Sequence, residues 1–263
     1  MKYSGLYFIS NPSTTLDASL STVTSLIQGL ESSFQNATRQ PPWSLSYRLF
    51  RDTIPPAHHH TPPAAHTHSY QHLLHLSGLA PNRTYVCTQP ANAPAAIASI
   101  PLRQQEAHSS ILRHQASALW TPRHTLAVRD GTTYTGGLYT IQIGELRAAR
   151  EGPQSGAVSS PGVVVCITTE VGACGVEDGV DSGYNSLDNS MAMDVDGQEV
   201  EEETDFEFAQ TMIRECWGAI KQGRDLGRSE VKETMMASVA TTKKEEEREI
   251  AVRMWCDTLR MRG

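Results

Sequence analysis

No stretch of this chain is apolar for long enough to cross a bilayer. The short run Leu6–Ile9 is ended by Asn11-Pro12, too soon for the core of a signal peptide. Without secretion, the sequons at Asn36 and Asn82 are read as chance. The five cysteines, Cys87, Cys166, Cys174, Cys216 and Cys256, are odd in number and form no C-x-x-C, which argues against a disulfide framework and a zinc ribbon. Reduced, buried thiols of a cytosolic or nuclear protein fit this usage. No basic cluster exceeds Lys243-Lys244, and the net charge is −7 with a pI near 5.8, so direct nucleic-acid binding is not expected. Phosphate loops, dinucleotide fingerprints, H-E-x-x-H and G-x-S-x-G are all missing, and no enzyme class is indicated.

What is present is sheet. From Trp120 to Arg147 the chain reads W-T-P-R-H-T-L-A-V-R-D-G-T-T-Y-T-G-G-L-Y-T-I-Q-I-G-E-L-R. His124, Leu126 and Val128 alternate with Arg123, Thr125 and Ala127, the two-residue period of a half-buried strand. Tyr139, Ile141 and Ile143 do the same further on. Asp130-Gly131 and Gly136-Gly137 predict two tight hairpin turns at positive φ.

Other elements follow the same logic. Residues 4–10 read as a strand, and 14–35 as a helix with Leu16, Leu20, Val23, Ile27, Leu30 and Phe34 on its core face. Arg39-Gln40-Pro41-Pro42 predicts a break before the strand Trp43–Phe50, whose Trp43, Leu45, Tyr47 and Leu49 face one way. Residues 70–77, 84–89 and 97–102 are further strand candidates. Residues 103–118 read as a helix with Ile111 and Leu112 inward. Val163–Thr168, apolar on both faces, suits a covered central strand. Near the C-terminus, Phe206, Met212, Ile213, Trp217 and Ile220 share a helical face. Lys243–Arg260 forms a second helix with Ile250, Met254, Trp255 and Leu259 inward, and Gly223 and Gly227 lie in a weak connection between the two.

Two segments interrupt this pattern. Residues 53–69 are rich in Pro, Ala, Thr and His and read as a solvated loop. The histidines there and just beyond, from His58-His59-His60 to His75, lack interleaved ligands and so predict a biased loop rather than a metal site. Residues 171–204 carry no Lys or Arg, accumulate Asp and Glu, and read as a disordered acidic insertion. The expected organisation is therefore a core over 1–170 with a loop insertion at 53–69, the acidic insertion at 171–204, and helices over 205–263 packed on the core. Hydrophobic content of 39% suffices for that core.

Three segments in order resemble a known family: Gly5-Leu6-Tyr7-Phe8-Ile9 leading to Asn11-Pro12, Trp43–Asp52, and the Trp120–Arg147 block. The likeness is to subunit 20 of the Mediator complex in its fungal form, also called TATA-binding-protein-related factor. The resemblance implies an α+β fold, mainly antiparallel sheet curved into a partial or complete β-barrel with outer helices. It implies a nuclear, non-catalytic subunit of the Mediator head module that binds no cofactor and no metal. Its expected partners are subunit 18 in a direct heterodimer, the C-terminal helix of subunit 8, the rest of the head module and RNA polymerase II. Trp43, Trp120, Arg123, Tyr139, Arg147, Trp217 and Trp255 are the partner-interface candidates; each Trp also sits where an amphipathic pattern needs a core residue. Two other readings stay open. One is a metal-dependent RNA triphosphatase on the same barrel, which needs E-x-E on inward strand positions where only single acids such as Glu145 occur. The other is a stand-alone peptide-binding module.

Overall fold

The alternating residues of Trp43–Leu49 lie in the middle of a nine-stranded antiparallel sheet. The structure, a computed structural model, describes residues 2–53, 67–149, 158–171, 197–237 and 244–260. Most of the expected His/Pro loop and residues 172–196 of the acidic stretch lie outside these. The strands are β1 (Lys2–Ser10), β2 (Thr38–Asp52), β3 (Tyr70–Leu76), β4 (Arg83–Gln89), β5 (Ala96–Pro101), β6 (Trp120–Gly136), β7 (Tyr139–Ala149), β8 (Ser159–Glu170) and β9 (Val231–Met235). The helices are α1 (Leu16–Ser33), α2 (Gln105–Ser110), α3 (Gly197–Lys221) and α4 (Lys244–Arg260). Strand order across the sheet is β5-β4-β3-β2-β6-β7-β8-β1-β9.

The two faces have different tenants. Tyr3, Tyr7 and Ile9 of β1, Ile141 and Ile143 of β7, and Val163, Val165 and Ile167 of β8 pack against α1 and α3. Trp217 of α3 stacks on Tyr7 with ring centroids 4.6 Å apart. The opposite face gathers Leu6, Trp43, Leu45, Tyr47, Leu74, Tyr85, Leu126, Leu146 and Val164 into one cluster with Val252, Met254, Trp255, Cys256 and Leu259 of α4. This second cluster reveals the curvature. Helix α4 touches β3 and β4 as well as β1 and β9. In a flat sheet β4 and β1 would stand about 29 Å apart, at roughly 4.8 Å per strand. A helix is only about 10–12 Å across. The sheet therefore curls round α4, which is buried on nearly every side of its second half.

Of the expected partial or complete barrel, the complete form is not found, and one of the expected outer helices needs correcting. The edge strands β5 and β9 do not pair with each other, so the sheet is curved but not closed. Helix α4 lies on the inner face rather than outside. Arg253 of α4 reaches the Ala95 carbonyl just ahead of β5.

Local corrections have physical reasons. Gly136-Gly137 does make a hairpin, with Gly137 at φ +58° and Gly136 opposite Tyr139. Asp130-Gly131 does not turn: both lie inside β6, beside irregular pairing with β2 and β7. Gly131 is needed for space, since a Cβ there would stand 2.2 Å from Trp43 Nε1. Pro41 and Pro42 lie within β2, at a register shift between Gln40 and Trp43. Strand β3 does not extend that far, so only one side of β2 is laddered and the missing N–H groups are tolerated.

On α1 the buried face is Ser19, Leu26, Gly29 and Leu30, while Leu20 is 45% exposed. The rotation follows from a polar knot in which Asn11 Nδ2 and Ser160 Oγ donate to the Ser19 hydroxyl at 2.8 and 2.6 Å. The 103–118 segment is a 3-10 turn, then α2, then a π-helical turn over Ile111–Gln115. Leu112 is inward, but Ile111 is 46% exposed. Strand β9 occupies what the sequence suggested was a plain connection.

Candidate functional site

The most elaborate chemistry in the molecule surrounds α4. Near its middle, Trp255 packs against Trp43 with ring centroids 5.9 Å apart. The Trp43 indole donates Nε1–H to the Ile143 carbonyl at 3.3 Å and lies over two glycines, Gly131 and Gly144. A Cβ on Gly144 would stand 2.8 Å from Trp43 Cζ2. Two positions without side chains on β6 and β7 thus form the slot in which the indole lies.

Toward the end of α4 a polar chain crosses the core. The Tyr47 hydroxyl is 2.9 Å from His72 Nδ1, and His72 Nε2 is 3.0 Å from Gln89 Oε1. Gln89 Nε2 donates to Asp257 Oδ1 at 2.8 Å, while Arg260 Nη1 donates to Gln89 Oε1 at 3.1 Å. Only one proton arrangement satisfies all four contacts with a neutral imidazole. Gln89 Oε1 is an acceptor, so His72 carries its proton on Nε2, and Nδ1 accepts from Tyr47. Arg260 also sits over the Tyr70 ring, 5.2 Å from its centroid.

Burial pushes His72 down to about 4, and desolvation holds the Tyr47 phenol well above its ordinary range. Both are neutral near pH 7, so the chain of bonds is a fixed register between β2, β3, β4 and α4. Nearby, His124 Nε2 lies 3.2 Å from the Leu259 carbonyl, another tie to the end of the helix. His72 could not be singled out in the sequence among ten histidines. The usable signal was its place on the inward face of a strand.

Cavities open at both ends of α4. One of about 540 Å³ is lined by Lys2, Trp43, Leu79, Gln142, Met236 and Arg248, among others. A smaller one of about 330 Å³ is lined by Phe8, His124, Leu126, Pro161, Lys232 and Leu259, among others. Of acids and imidazoles, the smaller brings together only His124 and Glu230 and the larger only Glu247, and among the described residues no three His, Cys, Asp or Glu side chains could hold a metal ion together. Glu145 is buried with Oε2 on Arg147 Nε at 3.0 Å. Cys87, Cys166, Cys216 and Cys256 are buried free thiols, and burial pushes those of Cys166 and Cys216 up to about 12. Cys174 lies outside the described residues.

The seven expected interface residues divide by depth. Trp43, Trp217 and Trp255 are 3–5% exposed and belong to the two cores. Tyr139 is half-buried; its hydroxyl donates to the Met212 carbonyl at 3.3 Å and its ring meets Phe34 edge-on. Trp120 is half-buried against the small Phe50–Leu73–Leu112 cluster. Arg147 is partly exposed, and Arg123 is exposed at a β6 bulge that the pairing with β2 skips. These residues do not converge: Trp120 and Arg123 share one end of the sheet, while Tyr139 stands at the other.

The family model described as TATA-binding related factor (TRF) of subunit 20 of Mediator complex matches residues 1–259. No curated protein matches. Among solved structures, the chain is similar to the PH1819 protein from Pyrococcus horikoshii OT3, at 11% identity and a TM-score of 0.35, over 82% of this chain and 90% of that one. It is also similar to a chain in the Schizosaccharomyces pombe Mediator head module, at 10% identity and a TM-score of 0.34, over 80% of this chain and 92% of that one.

Proposed function

The chain belongs to the family of subunit 20 of the Mediator complex, and from that premise we propose that it is a non-catalytic, nuclear subunit of the head module. In this reading it pairs directly with subunit 18, is tethered by the C-terminal helix of subunit 8, and helps relay regulatory signals to RNA polymerase II. The observation that carries the reading is the family match over residues 1–259, which spans sheet and helices alike. The interior supports it. A curved sheet with an empty lumen offers room for substrate, but here α4 occupies the lumen and its polar groups are bonded to one another. Partner contact then falls to the outer surface, where Trp120, Arg123 and Arg147 have exposed area and Trp43, Trp217 and Trp255 have almost none.

The test is co-expression with subunit 18 from the same organism, followed by size-exclusion chromatography. The expected result is a one-to-one complex. Two well-behaved monomers eluting separately would overturn the heterodimer and direct attention to divalent-metal-dependent phosphatase activity instead.

A further inference from the structure

The two edges of the open sheet are unequally protected. Soluble proteins guard edge strands with charge, proline, bulges or brevity, because free N–H and C=O groups are a template for another strand. Strand β9 has such guards: it is five residues long and carries Lys232 and Glu233, the latter paired with Arg214. Strand β5, Ala-Ile-Ala-Ser-Ile-Pro, has no charge and no proline before its last residue. It pairs with β4 over six successive positions without a register shift.

Which backbone groups are free follows from the ladder. The Leu102 N–H donates to the Asn82 carbonyl at 2.9 Å, toward the β4 side. Alternation then turns Ile100, Ala98 and Ala96 toward β4, and Ile97 and Ser99 outward. Pro101, which has no N–H, falls on the outward set. Among the described residues no strand lies on that side. The side chains there are small: Ala96, Ala98 and Ser99 are exposed, and Ile97 is half-buried.

Cations flank this edge. Arg83 Nη1 donates to Ser99 Oγ at 2.7 Å, and Arg253 Nη2 of α4 donates to the Ala95 carbonyl at 3.3 Å. Arg103 follows β5 within two residues and is exposed. Glu249, 3.9 Å from Arg253, offsets only part of this charge. A second copy paired through the same edge would bring these like charges together, which disfavours self-association. From the free ladder and its arginine border we infer that β5 receives an extended, acidic segment of another chain as a tenth strand.

The probe is a blocked hexapeptide of alternating Glu and Val, with its Lys-Val counterpart as control, added to the full-length chain. Hydrogen exchange read by nuclear magnetic resonance reports each amide. The Glu-Val peptide is expected to slow exchange at Ile97 and Ser99 and to leave β9 unchanged. Ser99→Pro removes an outward N–H without touching the ladder to β4 and abolishes this protection. Ala98→Glu sets a like charge against the acidic peptide and does the same, which keeps the test valid if Ser99→Pro disturbs folding. Arg253→Glu shifts the preference toward the Lys-Val peptide by roughly fivefold. Absence of protection with either peptide, protection at β9 instead, or equal response to both peptides overturns the inference. Protection at Ile97 that rises with protein concentration alone overturns it too, in favour of pairing between copies.

Discussion

The indole of Trp43 and the backbone of Gly131 share a volume that admits no Cβ, although 88 residues separate them in the chain; the added atom would stand 2.2 Å from Nε1. Gly131→Ala forces the indole out of its slot and away from Trp255. The expected loss is about 1–3 kcal/mol, as for other overpacked cores. Urea denaturation with an unchanged slope and a lower midpoint checks it; an unchanged midpoint would show that the slot is not tight.

His72 makes stability fall with acid. Its folded value is about 4 against an ordinary 6.5. Between those values the unfolded chain binds a proton that the folded chain refuses. The contribution is complete above pH 6.5, is lost as pH falls toward 4, and changes no further below that. The whole shift corresponds to about 3 kcal/mol, of which roughly 2 kcal/mol is lost by pH 5. His124 and His108 are lowered by burial too and act in the same direction. His72→Gln should flatten the stability profile between pH 7.5 and 5 without abolishing the slope, as measured by denaturant unfolding at each pH.

Trp255 and Trp120 separate core from surface. Trp255→Ala removes a buried indole from the helix inside the sheet and should destabilise by about 3–5 kcal/mol. Trp120→Ala, at a half-buried site on a small cluster, should lower the melting temperature less and leave the circular dichroism of the sheet intact. Thermal melts of both, compared with the unsubstituted chain, decide it.

Arg123→Glu tests the exposed β6 bulge as partner surface. Stability should stay within about 0.5 kcal/mol. Under the proposed pairing, the rate of association with subunit 18 should change several-fold at low salt and less at high salt, because a rim charge acts mainly on encounter. Surface plasmon resonance at two ionic strengths measures this. An association rate indifferent to the substitution would remove this end of the sheet from the interface.

Much of the sheet was legible because its signals are local. The alternation in Trp43–Leu49 and Tyr139–Ile143, and the double-sided apolar run of Val163–Ile167, each name a strand without reference to anything distant. The misreadings occurred where a distant group decides. Asp-Gly is a turn signal until Trp43 arrives from another strand. Leu20 continues an apolar stripe, but Ser19 is turned inward by Asn11 and Ser160. Strand β9, Val-Lys-Glu-Thr-Met, has no alternation to betray it and exists because β1 offers a free edge. The site was less legible than the fold. Nothing local says that Lys244–Arg260 lies within the sheet, and without that fact His72, Gln89, Asp257 and Arg260 have no reason to be considered together.

The pairing of β1 with β8 sets a waiting time during synthesis. Lys2 lies opposite Glu170, and Gly5 opposite Met235. At translation rates of about 5–20 residues per second, β1 leaves the ribosome roughly ten to thirty seconds before β8. In that interval Leu6, Tyr7 and Ile9 have neither their ladder nor helices α3 and α4. Helix α4 comes later still, so the half-formed sheet has no filling for its inner face until it arrives. The apolar surface of the nascent chain therefore stays uncovered until its last helix is made, and the order of synthesis, not the strength of any one contact, sets how long it is open to aggregation.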